Sequence, residues 1–211
     1  MRSSFLIVIF ILSAQFGFSQ YTGFTPVADL AKFSSAFAEA SQKIRSIKSN
    51  FVQVKELSML AEKITSKGKF LFKKESMVRM EYTQPFQYLM ILNRDKIFVK
   101  DAQKENKVSA KSNKIFQQIN QVMIDCMQGT ILSNKDFQTR VFENKTAYLV
   151  EMVPVVKGLK AMFKHINVTV DKNDYSVNTI EMLELSGDNT TLRFSNKELN
   201  TNIEDALFNI K

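Results

Sequence analysis

The sequence predicts a mainly β protein of the α+β class, in which a curved antiparallel sheet or barrel packs with two helices. Segments with alternating apolar and polar residues, typical of half-buried strands, recur after residue 50 at a spacing of about 8–12 residues. Turn residues of the Asp, Asn and Gly types separate several of these segments. Two other stretches have apolar residues at every third or fourth position, which is the spacing of an amphipathic helix.

The stretch Gly68–Leu92 is the centre of the predicted sheet. Read with a period of two, it contains three short strands, the last of which, Gln87–Leu92, is apolar on both faces and must be covered on both. Arg79 and Glu81 are expected on the face opposite to the apolar side chains. That apolar face, with Lys74 at its edge, fits either a core wall or the lining of a ligand cavity. Its residues are Phe70, Phe72, Val78, Met80 and Tyr82.

Two helices are predicted, one before the strands and one inserted between them. The first begins at Thr25–Pro26, with Thr as cap and Pro at the first helical position, and its apolar stripe reaches Ile47 after about five turns. The second lies between a cap at Ser112 or Asn113 and Gly129. A lid over the sheet and ordinary core packing both fit the second helix. Its stripe consists of Ile115, Ile119, Val122, Met123 and Cys126, and is widened by Phe116 and Met127.

Residues 1–19 have the pattern of a signal peptide. Arg2 supplies the positive charge, Phe5–Leu12 is an unbroken apolar run, and small residues precede a cleavage site after Ser19. An uncleaved anchor is the alternative, but the run is short against the roughly 20 residues of a membrane span. We therefore expect an exported, soluble protein with one mature domain over residues 20–211, since Gly and Pro are too scarce for a flexible linker.

The charge of the chain favours anionic partners. The formal net charge is +8 and becomes +7 once Arg2 is removed with the leader. Lipid headgroups and acidic protein patches are suitable partners, although a solvated basic surface explains the charge equally well. Nucleic acid is not expected, because the basic residues form neither a block nor a known reading motif.

The sequence contains no constellation typical of an enzyme. His165 is the only histidine and lies in a predicted strand, so a histidine triad and a histidine-rich metal site are excluded. The carboxylates are dispersed, and neither a glycine-rich phosphate loop nor a G-x-S-x-G motif is present. Cys126 is the only cysteine, which excludes an intramolecular disulfide and favours a buried apolar role. We expect no catalysis, cofactor or metal.

Methionine is the one residue type that suggests a ligand cavity. The central strands and the second helix are rich in Met, together with Phe and Tyr. Flexible thioethers suit a surface that repacks around varied chains, but they also serve as core filler. The pattern therefore leaves both a cavity and a packed core open. The residues concerned are Met77, Met80, Met90, Met123 and Met127.

Several short motifs, in this order and spacing, resemble the outer-membrane lipoprotein carrier (LolA) family over about residues 26–210. In the first half these are Phe51-Val-Gln53, Gly68-Lys-Phe-Leu-Phe72, Arg79-Met-Glu-Tyr82-Thr-Gln-Pro85 and the turn that begins at Asn93. In the second half they are Ile166-Asn-Val-Thr-Val-Asp171, Leu192-Arg-Phe-Ser-Asn196 and Ile203-Glu-Asp-Ala-Leu-Phe208.

The resemblance implies an unclosed antiparallel barrel of about eleven strands with a helical lid. It also implies a monomeric periplasmic chaperone that takes lipoproteins from an inner-membrane ABC transporter to an outer-membrane acceptor while burying their acyl chains. Two alternatives within this fold are a module that binds another lipid or hydrophobic product, and a sensor of mislocalised lipoproteins. Copurification of lipoproteins would distinguish these functions.

The resemblance also assigns roles to particular residues of this chain. Lys74 stands where the family has an Arg that hydrogen-bonds lid carbonyls and keeps the lid closed. Lys preserves the charge but lacks the planar fork of donors. Ile119 and Met123 are assigned to the lid helix. The residues that we call the inner wall, expected to contact acyl chains, are Phe70, Phe72, Val78, Met80, Tyr82 and Met90.

Overall fold

The computed structural model of the protein describes residues 21–74, 76–94, 96–101, 105–109 and 114–210. The predicted signal peptide and the predicted cap at Ser112 or Asn113 lie outside these ranges, so both stay predictions. None of the described helices combines the length and the apolar character that crossing a membrane requires.

The described strands form one antiparallel sheet whose order is β1-β8-β9-β10-β11-β12-β2-β3-β4-β5-β6-β7. The sheet is not closed, and β1 has only two residues, so the predicted unclosed barrel of about eleven strands is confirmed. The strands are β1 Thr25–Pro26, β2 Ser46–Leu57, β3 Glu62–Lys73, β4 Met77–Gln84, β5 Tyr88–Asn93, β6 Lys96–Asp101, β7 Glu105–Ser109, β8 Phe137–Glu143, β9 Ala147–Pro154, β10 Phe163–Asp171, β11 Val177–Glu184 and β12 Asn189–Leu199.

Three α-helices accompany the sheet: α1 Leu30–Lys43, α2 Lys114–Gln128 and the single turn α3 Lys157–Lys160. The predicted start of the first helix at Thr25–Pro26 is wrong. Those two residues pair with β8 as an edge strand, where the missing N–H of proline is tolerated. Asp29 caps α1 instead, because its side chain accepts a hydrogen bond from the backbone N–H of Lys32 at 2.9 Å.

The other end of α1 also differs from the prediction. The apolar stripe was expected to continue to Ile47, but α1 ends at Lys43 and β2 begins at Ser46. Ile47 pairs with Phe72 of β3 and is buried. An apolar residue three positions after Ile44 fits a continuing helix stripe, and it equally fits the buried face of a strand. The spacing alone therefore could not tell whether Ile47 belongs to a helix or to a strand.

The main core lies between the inner, concave face of the sheet and helices α1 and α2. Phe33 and Phe37 of α1 stack with ring centroids 5.5 Å apart, and Phe33 lies 4.4 Å from the ring of Tyr148 on β9. Gly129, which ends α2 with φ at +72°, approaches α1 so closely that an added Cβ would lie 2.5 Å from Ser41 Oγ. The end of α2 therefore packs directly on α1.

A second, smaller core lies on the outer face of the sheet and explains why β5 is apolar on both faces. The C-terminal segment crosses this face and ends in a 3-10 turn at Asp205–Phe208. Ile203 and Phe208 are buried there against Ile91 of β5 and Phe98 of β6. The expectation that both faces of this strand are covered is therefore confirmed.

A buried charge stands elsewhere on the sheet, where β8 and β9 meet. Glu151, whose side chain is 1% exposed, accepts hydrogen bonds from Arg140 Nε at 2.5 Å and from the Tyr21 hydroxyl at 2.7 Å. Burial by itself raises the pKa of Glu151, but the hydrogen bonds from Arg140 and Tyr21 outweigh it and the pKa is lowered. The ionised carboxylate therefore holds residue 21 against the sheet.

Candidate functional site

The strand register brings the predicted inner wall together on one face of the sheet. Phe70 of β3 is directly opposite Met80 of β4, and Phe72 is opposite Val78. Met80 is in turn opposite Met90 of β5. All five side chains are buried in the main core. The period-two alternation of the sequence therefore placed them on one face correctly, whereas their contact with acyl chains stays a prediction.

Helices α1 and α2 cover the inner wall. Phe33 and Phe37 of α1, together with Val122, Cys126 and Met127 of α2, belong to the same buried cluster as the wall side chains. The five buried side chains of the wall therefore share the main core with the helices.

Tyr82 forms the polar end of the inner wall. Its hydroxyl donates a hydrogen bond to Gln53 Oε1 at 2.8 Å, and its ring lies 4.9 Å from that of Phe51 and 5.4 Å from that of Tyr88. Burial, together with the neighbouring Tyr88, raises the pKa of Tyr82 to about 12. The phenol is therefore neutral at physiological pH and marks where the wall changes from apolar to polar.

Lys74 contacts helix α1, at the position where the family resemblance implies an Arg latch. Its Nζ donates a hydrogen bond to the carbonyl of Gln42, in the last turn of α1. Its backbone N–H donates to the carbonyl of Arg45 at 2.9 Å. A cation beside the terminal carbonyls of a helix is favourable, because those carbonyls lack helical partners and carry the negative end of the dipole. We call the Lys74–Gln42 hydrogen bond the latch contact.

The neighbouring Lys73 makes the corresponding contact on the other side of the sheet. Its Nζ donates to the carbonyl of Ile203 at 2.8 Å and forms an ion pair with Asp205. Two consecutive lysines therefore bind two different segments, one on each face of the sheet. Lys74 holds α1 over the inner face, and Lys73 holds the C-terminal segment over the outer face.

The second helix contributes a wider face than its predicted stripe. Met123 is half-buried and packs on the main core, while the side chain of Ile119 lies outside the described part of the structure. Ile124 is fully buried although the predicted stripe omitted it. The C-terminal end of α2 packs against both α1 and the sheet, so it buries apolar residues on more than one side of the helix. The apolar residues on both sides of Met123 were the available signal.

Two titratable side chains of α2, Cys126 and Asp125, are buried beside the main core. Cys126 is buried, and burial raises the pKa of its thiol well above the usual value, which leaves it unreactive. Asp125 accepts hydrogen bonds from the side chains of Gln121, Thr130 and Asn134, so it joins the end of α2 to the segment that follows. Within the described residues, no group of three or more His, Cys, Asp or Glu side chains is arranged to hold a metal ion.

Solved structures with similar folds have very different sequences. An uncharacterized conserved protein from Thermus thermophilus has a TM-score of 0.51 and 8% identity, over 87% of this chain and 95% of that one. A LolA superfamily protein from Nitrosomonas europaea has a TM-score of 0.43 and 11% identity, over 84% and 97%. A putative outer membrane lipoprotein-sorting protein domain from Vibrio parahaemolyticus has a TM-score of 0.47 and 12% identity, over 84% and 95%.

At these identities the solved structures are informative about the fold alone. No curated protein matches the chain. A family model does match, over residues 42–211, which include β2–β12 and therefore the whole inner wall. Its description is "Outer membrane lipoprotein carrier protein LolA". The chain therefore belongs to the outer membrane lipoprotein carrier protein LolA family.

Proposed function

We propose that the protein is a periplasmic carrier that binds the acyl chains of lipoproteins on its inner wall and transports them from the inner to the outer membrane. The observation that carries this proposal is the combination of a continuous apolar wall with a helical cover fastened by the latch contact. Membership of the LolA family supports it. In this assignment the acyl chains replace α1 and α2 as the partners of the wall.

The energetics of acyl transport require such a wall. At about 0.8 kcal/mol for each buried methylene group, exposing several acyl chains to water costs tens of kcal/mol. A carrier without ATP must hand its cargo over by relative affinity, so its binding site has to release acyl chains as well as bind them. Met80 and Met90 suit this need, because their unbranched side chains repack at little cost.

The helical cover buries the inner wall when the carrier is empty, so that its apolar side chains are not exposed to water. When no cargo is bound, Phe33 and Phe37 of α1 bury the wall and are buried by it. Cargo then competes with the protein's own helices, and this competition lowers the net affinity to a level that permits release. Lys74, through the latch contact, adds to the stability of the closed state.

The expected partners follow from this route. We expect the signal peptide to export the chain and the mature protein to act in the periplasm as a monomer. There we expect an inner-membrane lipoprotein-releasing ABC transporter to supply cargo and an outer-membrane acceptor to receive it. The net charge of +7 that remains after the leader is removed is compatible with acidic patches on either partner.

The test is to express the full chain with export and identify what copurifies with it. Full-length lipoproteins in a one-to-one complex are the expected result. Met80→Asp places a charge on the wall and should abolish loading, whereas Leu207→Asp, at an exposed position of the C-terminal segment, should not. Circular dichroism confirms that each variant is folded, and Met90→Ala provides a milder change of the same wall.

The alternatives correspond to other outcomes of the same experiment. Protein that contains only free lipid would indicate a module for another lipid or hydrophobic product. Protein that binds lipoproteins but never passes them to outer-membrane vesicles would indicate a sensor of mislocalised lipoproteins. Protein without any lipid, or normal loading of Met80→Asp, would refute the assignment of the inner wall.

A further inference from the structure

Exposed apolar side chains are concentrated at one edge of the sheet. The turns β2–β3, β4–β5 and β11–β12 lie at the same edge, because consecutive strands of this sheet are antiparallel. Met59 and Leu60 in the first turn are 91% and 64% exposed, Phe86 in the second is 80% exposed, and Leu185 in the third is 51% exposed. Val155, which follows β9 at this edge, is 44% exposed. We call these five residues the hairpin rim.

The turns at the opposite edge have a different character. The turn between β10 and β11 contains Lys172, Asn173 and Asp174, and the turn between β5 and β6 contains Arg94. The turn between β3 and β4 contains Lys74, which donates a hydrogen bond to the last turn of α1. Among the turns that the structure describes, large exposed apolar side chains are therefore found at the hairpin rim and not at the opposite edge.

Hydrogen bonds between the turns hold the hairpin rim in place. Ser58 donates to Asp188 Oδ1 from its backbone N–H at 2.9 Å and from its hydroxyl at 3.0 Å, and this hydroxyl lies 2.9 Å from the carbonyl of Ser186. Leu185 donates its N–H to the carbonyl of Met162 at 2.9 Å, which joins the turn after α3 to the same group. Met59 and Leu60 are thus presented beside Leu185 on a connected scaffold.

The chemistry of the hairpin rim fits a lipid surface. Side chains at the tips of turns protrude from the protein surface, so they can insert into a headgroup layer and need no matching groove on a partner. Three exposed lysines lie at the same edge as these apolar side chains. They are Lys157, Lys160 and Lys164, which follow Val155 in the chain. Anionic headgroups attract such lysines, and apolar tips then bury surface among the acyl chains.

We propose that the hairpin rim docks the protein on the surface of a bilayer that contains anionic lipids. Met59, Leu60 and Leu185 enter the interface, and the lysines of the α3 region contact the headgroups. The latch contact lies at the opposite edge and stays accessible in this orientation. The inference does not rest on the proposed function, since it uses only surface residues outside the inner wall.

A tryptophan probe tests insertion directly, because the chain contains no Trp of its own. Met59→Trp is expected to give a blue-shifted emission and reduced aqueous quenching when vesicles of phosphatidylethanolamine and phosphatidylglycerol are added. Leu30→Trp is the matched control, since Leu30 is 52% exposed but begins α1 at the opposite edge. Unchanged emission of Met59→Trp, or equal shifts in the two variants, would overturn the proposal.

Binding to the same vesicles tests the energetic contribution of the hairpin rim. The double variant Met59→Ser/Leu60→Ser should sediment with the vesicles about tenfold less than the natural chain, while Leu30→Ser should match it. Lys157→Gln/Lys160→Gln should weaken binding to vesicles with phosphatidylglycerol and leave the weaker binding to phosphatidylcholine vesicles unchanged. Undiminished binding of the double serine variant would refute the proposal, as would binding that requires a membrane protein.

Acyl loading distinguishes a failure of this proposal from a failure of the proposed function. The double serine variant should acquire lipoproteins as the natural chain does, because its substitutions lie at exposed turn positions. Loss of vesicle binding with normal loading supports a separate docking surface. If the double variant is folded but loses loading as well, the rim belongs to the cargo site and the separate docking surface is wrong.

Discussion

Replacement of Lys74 by leucine tests whether the latch contact controls cargo. The substitution removes the ammonium group that donates to the Gln42 carbonyl, and keeps a side chain of comparable bulk beside α1. If the contact stabilises the closed, empty state, its loss should favour the open state that binds acyl chains. We therefore expect Lys74→Leu to bind acyl chains more tightly and to release them more slowly.

The size of this effect follows from the geometry of the contact. A cation at the last turn of a helix contributes about 0.3–1 kcal/mol when it is exposed. The Lys74 hydrogen bond is at the surface, so solvent screening keeps its contribution within that range. Because about 1.4 kcal/mol corresponds to a factor of ten, the closed-to-open equilibrium should change about two- to fivefold.

The assay compares release rates of a fluorescent fatty acid and of a purified lipoprotein. Lys73→Leu is the matched control, because Lys73 is the adjacent residue but holds the C-terminal segment through Ile203 and Asp205. Lys74→Arg should act in the opposite direction to Lys74→Leu, since the guanidinium fork offers more donors to the helix carbonyls. Equal release rates in Lys74→Leu and Lys73→Leu, or a lowered melting temperature with unchanged release, would refute the latch.

Three further predictions concern other contacts. Gly129→Ala should separate α2 from α1, because its Cβ would lie 2.5 Å from Ser41 Oγ, and should accelerate uptake of a fluorescent fatty acid. Burial raises the pKa of Glu151, but its hydrogen bonds from Arg140 and Tyr21 lower the pKa overall. The stabilisation is therefore complete above the unfolded value of about 4.3 and is lost as the pH falls through the lower folded value. Urea unfolding of Glu151→Gln should accordingly show a loss of about 1–2 kcal/mol at pH 7 that narrows near pH 3. Phe208→Ala should lower the unfolding free energy by about 3 kcal/mol by emptying the outer core, and a change below 1 kcal/mol would contradict that packing.

The inner wall was predictable because strand alternation is a local property. Phe70 and Phe72 alternate with other residues in β3, as do Val78, Met80 and Tyr82 in β4, and a period of two assigns each set to one face once any member is placed. The same rule predicted that Arg79 and Glu81 lie on the other face, and the structure places them there with their charged groups 2.9 Å apart. Burial of one face then left little choice of register.

The boundaries of α1 were not predictable in the same way. Thr25–Pro26 has the sequence of a helix start, but the two residues pair with β8, which lies more than a hundred residues later in the chain. The contact of Lys74 with α1 likewise depends on where a helix more than thirty residues earlier ends. Only the resemblance to a family, and not the local pattern, pointed to that contact.

The order and period of the apolar residues, which are properties of the chain alone, are enough to predict a curved antiparallel sheet with one continuous inward face, whereas the number of about eleven strands came from the family resemblance. What covers that face is visible only in the folded molecule. The wall has no intrinsic preference between helix side chains and acyl chains, because burial of apolar surface is non-directional and proportional to area. Which partner it takes depends on contacts such as those of Lys74 and Gly129 with α1, which bring together residues distant in the chain.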